Sequence, residues 1–249
     1  MSQASLAPVV SQRHKTLSWH HALSRTAIAT LYRVFPSAAE ALVTHYFFTP
    51  RKKKLTYHQS LPSGAKLLAI PYKQMTLRGY QWGTGERTIL LVHGWESHTG
   101  FMMHFVESLV AQGFRVVAFD VPGHGFSPRS RTDTVDFGCA IRAVMEQLGS
   151  VYGVVAHSFG AMAVLHLLAQ ADSRINLKKL ALISPLKNVW EHLYIFNQIA
   201  QVPDGLALRM QERIAKMYPV PLEDVCSVQS AGKLNCEGLV LHDGSDTFI

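Results

Sequence analysis

From Thr88 onward the apolar positions repeat in a strand-then-helix rhythm. Ile89-Leu90-Leu91-Val92 is a continuous apolar run, as expected of a strand buried on both faces. A helical stretch spans Thr99–Gln112 and stops at Gly113. Strand Arg115–Phe119, helix Thr134–Leu148, strand Gly153–Ala156, helix Phe159–Gln170 and strands Leu180–Ile183 and Leu239–His242 follow. This alternation predicts an α/β fold, a mostly parallel sheet with helices on both faces. Between Ser184 and Glu237 the pattern is helical alone, over Val189–Ala200 and Leu206–Tyr218. That interval is too long for a crossover helix and predicts a lid at about 186–236.

Upstream, residues 1–15 read as a ragged start. Apolar positions from Trp19 to Phe35 follow helical spacing, Pro36 stops that helix, and a second runs over Ser37–Phe48. Residues 1–50 thus read as a helical arm packed on a core of residues 51–249, because the polar side carries few lysines for a membrane surface. Arg51-Lys52-Lys53-Lys54 reads as a solvated linker. Lys66–Trp82 predicts antiparallel strands, left through the turn Gly83-Thr84-Gly85.

Apolar residues form 48% of the 249 positions and charged residues 16%, enough for a sizeable core, which excludes a disordered chain. The net charge of +7 is spread along the length and gives no reason to expect a nucleic-acid partner. Cys139, Cys226 and Cys236 form no C-x-x-C pair. This argues against a disulfide framework and a thiolate zinc site, and for a reducing compartment. Charged and histidine residues interrupt Ser11–Tyr32, and no window reaches the roughly 18 apolar residues of a spanning helix. A cytoplasmic protein without stable membrane insertion is expected. His93, His98 and His104 lack metal-ligand spacing, so neither a metal nor another cofactor is expected.

The sharpest chemical signal is Val154-Val155-Ala156-His157-Ser158-Phe159-Gly160-Ala161, where a strand ends and a helix begins at once. A tight turn there holds Ser158 Oγ proud of the sheet, and small residues two positions to either side relieve the crowding. The helix amides gather at Ser158, with the Phe159 N–H a candidate oxyanion donor. A serine N-cap is the alternative reading of the same pentapeptide. His93-Gly94-Trp95 ends the first buried strand, where Gly94 lets the backbone turn and the Trp95 N–H is the second candidate donor. Asp120-Val121-Pro122-Gly123-His124-Gly125-Phe126-Ser127 is a tight loop in which Asp120 and His124 read as structural.

With these three motifs in order, the chain resembles the α/β-hydrolase superfamily, most closely its bacterial esterase- and lysophospholipase-like serine-hydrolase branch. The motifs stand at Leu90–Glu96, Asp120–Ser127 and Ala156–Gly160, and the resemblance runs from about Phe47 to the end. It implies a triad in the order serine, acid, histidine. His242-Asp243-Gly244-Ser245-Asp246 matches the family's acid loop, with Asp246 the orienting carboxylate and Asp243 a poorer choice. A serine at the elbow excludes the dehalogenase and epoxide-hydrolase chemistry that needs aspartate there.

The resemblance implies hydrolysis of a carboxylic ester or related acyl substrate through an acyl-enzyme on Ser158. It also implies a further strand and helix carrying the histidine. No histidine follows Asp246 in this sequence, so an impaired enzyme with its last strand and helix missing is expected. His157, His93 and His242 do not read as replacements. The alternatives are a catalytically dead α/β-hydrolase fold that binds a partner, or another chemistry such as a lyase or acyltransferase. Leu193, Tyr194, Ile195, Phe196 and Trp95 suggest an apolar acyl group, or are lid core. Nothing in the sequence fixes an oligomeric state.

Overall fold

A computed structural model describes residues 19–51, 64–170, 175, 177–218, 222 and 225–246 of the chain. Residues 1–15, and Lys52, Lys53 and Lys54 of the charge run, lie outside this set.

The alternating segment after Ala65 forms β1 (Lys66–Tyr72) and β2 (Met75–Trp82), an antiparallel pair. Thr88–Val92 (β3), Arg115–Phe119 (β4), Gly153–His157 (β5), Lys179–Ile183 (β6) and Glu237–Leu241 (β7) run parallel to one another. The sheet order is β1-β2-β4-β3-β5-β6-β7, with β2 antiparallel to β4. All of β3 is buried, which accounts for its unbroken apolar run.

Eight helices are described: α1 (Trp19–Val34), α2 (Pro36–Phe47), α3 (Val106–Ala111), α4 (Thr134–Leu148), α5 (Phe159–Gln170), α6 (Val189–Ala200), α7 (Asp204–Met217) and α8 (Ser227–Ala231). Asp133 and Asn188 cap α4 and α6 by accepting the N–H of Asp136 and Glu191. Leu90, Val92, Val154 and Leu182 face one core with Ala39 and Phe47 of α2, Phe137 of α4 and Met210 of α7. Ile89, Leu91, Val116 and Ala118 face the opposite way, into a smaller core with Met102 and Val106. The mostly parallel sheet with helices on both faces is therefore the observed fold.

Beyond shifts of one or two residues at element ends, three details differ from the sequence reading. Thr99–Phe105 is a 3-10 turn and only Val106–Ala111 is α-helical. The first N–H groups of the turn are drawn elsewhere, Thr99 to the Asp120 carboxylate and Gly100 to the His98 ring. The five-residue α8 is too short to carry a periodic signal. Finally, β7 ends at Leu241, so His242 follows the strand rather than closing it.

Among the described residues β7 is the sheet edge, with Leu239, Val240 and Leu241 54%, 59% and 49% exposed. An apolar edge strand is a template for pairing with another chain. A charge should blunt it. Val240→Lys is expected to lower the light scattering of concentrated protein relative to the unsubstituted chain; equal scattering would argue against edge pairing.

Candidate active site

The site is assembled at the carboxyl edge of the parallel strands. β5 ends at His157 and α5 starts at Phe159, so Ser158 alone makes the turn. Its φ is +52°, a left-handed conformation that costs a non-glycine residue about 1–3 kcal/mol. The turn is held by the Ser158 N–H donating to the Ile183 carbonyl at 2.8 Å, and by the Ala161 N–H donating to the Ser158 carbonyl at 2.9 Å.

Two glycines let the neighbouring loop close on this turn. A Cβ on Gly160 would stand 2.2 Å from the His93 carbonyl oxygen, inside any permitted contact. A Cβ on Gly94 would stand 3.1 Å from Ser158 Cβ and 3.3 Å from His157 Nδ1. His157 and Ser158 therefore both border Gly94.

The β3 and β4 loops are tied together by buried polar groups. His93 Nδ1 donates to the Gly94 carbonyl at 2.8 Å while Nε2 accepts the Val121 N–H at 3.2 Å, which specifies the neutral ring. Complete burial lowers the His93 pKa below the ordinary imidazole value. Asp120, fully buried, accepts the N–H groups of Thr99 at 2.7 Å and Phe126 at 2.8 Å. His124 Nδ1 lies 2.9 Å from the Pro122 carbonyl. Asp120 and His124 both bond to backbone, as their structural reading requires.

Trp95 follows this loop and packs tilted against Phe159, ring centroids 5.1 Å apart and planes at 57°. Among the described residues, nothing accepts a hydrogen bond from the backbone N–H of Trp95 or of Phe159. His192 of α6 covers the pair at 4.9 Å from Trp95 and 4.7 Å from Phe159, and also meets Phe47 of α2 at 4.9 Å. Burial in this apolar cluster pushes its pKa down to about 3. The cavity left beside these rings, bounded also by Thr132 and Tyr218, is only about 10 Å³.

A further contact was not legible from the sequence. Arg51 forks onto Glu96, the residue after Trp95, at 2.8 Å and 2.6 Å, and adds a backbone N–H at 3.1 Å. Glu96 has φ +49°, so the clamp bears on a constrained backbone. The Arg51 side chain is 64% exposed, which limits such a pair to about 1 kcal/mol. The Glu in Gly94-Trp95-Glu96 was the available signal.

Asp246 lies five residues beyond β7, its N–H donating to the Asp243 carbonyl at 3.0 Å. Asp243 caps the Ser245 N–H at 2.9 Å, making a local turn. The His242 Nε2 is 3.9 Å from Asp246 Oδ2, an ion pair only when that ring is protonated. Paired registers His157–Ile183–Leu241 align the strand ends, so the Asp246 loop starts about 10 Å from Ser158 across β6. Among the described residues no histidine makes a hydrogen bond to Ser158 Oγ, and no group of three metal-binding side chains occurs. No described helix is long and apolar enough to cross a membrane.

Fold and elbow define an α/β-hydrolase, and the family model for the alpha/beta hydrolase fold matches residues 87–213, just over half of the chain. The chain belongs to this family. It is 32% identical over 148 residues to a pimeloyl-[acyl-carrier protein] methyl ester esterase of Nitrosomonas europaea, covering 58% of this chain and 54% of that protein. It is 34% identical over 100 residues to a serine hydrolase-like protein of Danio rerio, covering 37% and 29%. The chain therefore spans about half or less of the length of these relatives. A solved esterase of Pyrococcus furiosus superposes with a TM-score of 0.53 at 17% identity, covering 78% of this chain and 90% of that one, a likeness of fold.

Two outcomes follow from the packing. Gly160→Ala must push the elbow from the His93 loop and should cost about 1–3 kcal/mol in denaturant unfolding; a change under about 0.5 kcal/mol would contradict the contact. His192 binds its proton near pH 3 when folded but near the ordinary 6.5 when unfolded. The unfolded chain therefore holds more protons between those values, and stability falls as pH drops below about 6.5. At pH 5 the loss from this group is about 2 kcal/mol. His93 and His157, also lowered by burial, act in the same direction. His192→Phe should flatten the acid limb of a Tm-against-pH curve; an unchanged limb would show that His192 does not carry it.

Proposed function

We propose that this chain is a serine hydrolase scaffold for a carboxylic ester or related acyl substrate, with Ser158 as nucleophile. The observation that carries this reading is the left-handed backbone at Ser158, propped between β5 and α5 against glycine-lined backbone. A capping serine needs no such strain, whereas a nucleophile must stand clear of the sheet. Ser158 Oγ attacks the substrate carbonyl carbon, and the carbonyl oxygen becomes an oxyanion. The Trp95 and Phe159 N–H groups receive it, which the absence of any other acceptor for them among the described residues supports. Collapse expels the alcohol with a proton and leaves an acyl-serine that water hydrolyses.

Asp246, in the loop after β7, is the carboxylate that would orient a histidine in this scheme. Carboxylic-ester chemistry is supported by the methyl ester esterase of Nitrosomonas europaea, within the region shared with it. The Phe47, Trp95 and Phe159 rings favour an apolar acyl group.

No described histidine bonds Ser158 Oγ. A protease triad without its histidine loses on the order of 10⁶ in rate, whereas one oxyanion donor is worth about 10²–10³. The same observation favours a second reading, a hydrolase fold that binds its ligand without turning it over.

A fluorophosphonate probe and a p-nitrophenyl ester test both. Slow labelling on Ser158 that disappears in Ser158→Ala, with turnover orders of magnitude below an active esterase, is the expected result. Labelling that survives Ser158→Ala would remove Ser158 as nucleophile. Rapid turnover abolished by that substitution would overturn the impairment, and complete inertness to the probe would favour the binding protein.

A further inference from the structure

The cavity at Trp95 and Phe159, about 10 Å³, is far below the roughly 300 Å³ of a ligand site. A groove of about 680 Å³ opens beside it, between α2 and α7. Arg209, Glu212, Arg213 and Lys216 recur at the three- and four-residue spacing that lines one helix face. Glu40 meets them from α2, its carboxylate shared between Arg209 at 2.8 Å and Arg213 at 3.2 Å. One carboxylate cannot use all the N–H donors of two guanidinium groups.

Arg131 completes the lining. It stacks over the Phe48 ring at 5.7 Å, and among the described residues neither Arg131 nor Lys216 has a carboxylate partner. Among the described residues, Arg131, Arg209, Arg213 and Lys216 thus face two carboxylates, Glu40 and Glu212. The groove also adjoins the small cavity through the backbone. Arg131 precedes Thr132 and Met217 precedes Tyr218, and each pair has one member in either lining.

We propose that this groove is an anion site that takes a phosphate monoester carried by the substrate. The excess of two positive charges matches a phosphate dianion better than a carboxylate. The Arg131 fork and the Lys216 ammonium supply charge-assisted donors that no carboxylate among the described residues engages. Phosphate binding stands on the groove itself. Only the role of the ester on the same molecule rests on the esterase reading.

The test compares two esters that differ only in the phosphate, 1-hexanoylglycerol 3-phosphate and 1-hexanoylglycerol. Each is titrated calorimetrically into the full chain carrying Ser158→Ala, so that no hydrolysis intervenes. The phosphate ester is expected to bind about tenfold or more tightly than the neutral one. That ratio should fall toward one when Arg131→Ala and Lys216→Ala are added, with circular dichroism confirming the fold. Lys216→Glu alone, which leaves the Phe48 stack intact, should reduce the ratio in the same direction. Equal affinities, no binding of either ester, or a preference that survives these substitutions would overturn the proposal. Neither titration depends on catalysis, so the esterase reading fails separately, by the loss of probe labelling at Ser158.

Discussion

The left-handed backbone at Ser158 is the constraint on which the rest of the carboxyl edge depends. A strand and a helix joined by one residue leave no slack, so the loop after β3 must lie against the start of α5. That approach is close enough to forbid a Cβ at Gly160. The strain of about 1–3 kcal/mol is met by burial of Phe159, Ala161, Met162 and Leu165, all 2% exposed or less. The turn also returns its N–H to β6 through the Ile183 carbonyl. Moving Ser158 would therefore disturb β3, β6 and α5 together.

Buried polar groups do for the adjoining loops what backbone pairing does within the sheet. Asp120 gathers the N–H groups of Thr99 and Phe126, and neutral His93 joins Gly94 to Val121. Each such N–H would cost about 1–3 kcal/mol if buried without a partner. His192 differs, since its environment is aromatic and burial alone holds its pKa down. It ties α6 to Trp95 and Phe159, so the helix over the site and the elbow respond to the same acidification. The groove between α2 and α7 lies outside this apolar cluster and is governed by charge.

Much of this architecture was legible in the sequence, because the fold relies on period and punctuation. Arg115–Phe119, Thr134–Leu148, Phe159–Gln170 and Val189–Ala200 appear with the bounds that their apolar spacing and stops define. Sheet order was not legible, since β3 lies between β4 and β5 through contacts that no local pattern encodes. The elbow was visible as small residues around Ser158, but the His93 carbonyl that makes Gly160 obligatory comes from the loop after β3. Arg51 read as the first residue of a solvated run; pairing with Glu96 requires a partner forty-five positions away. His192 likewise looked like one polar residue in a lid helix, and only the packing of α6 brings it onto Trp95 and Phe159.

The proposed chemistry places a developing negative charge between two loops that Ser158 and His93 hold in contact. A crystal structure of the chain after reaction with a phosphonate ester tests this most directly. The expected adduct has phosphorus bonded to Ser158 Oγ, with the phosphonyl oxygen about 2.7–3.1 Å from the N–H groups of both Trp95 and Phe159. An adduct on another residue, or a phosphonyl oxygen turned away from both amides, would contradict it.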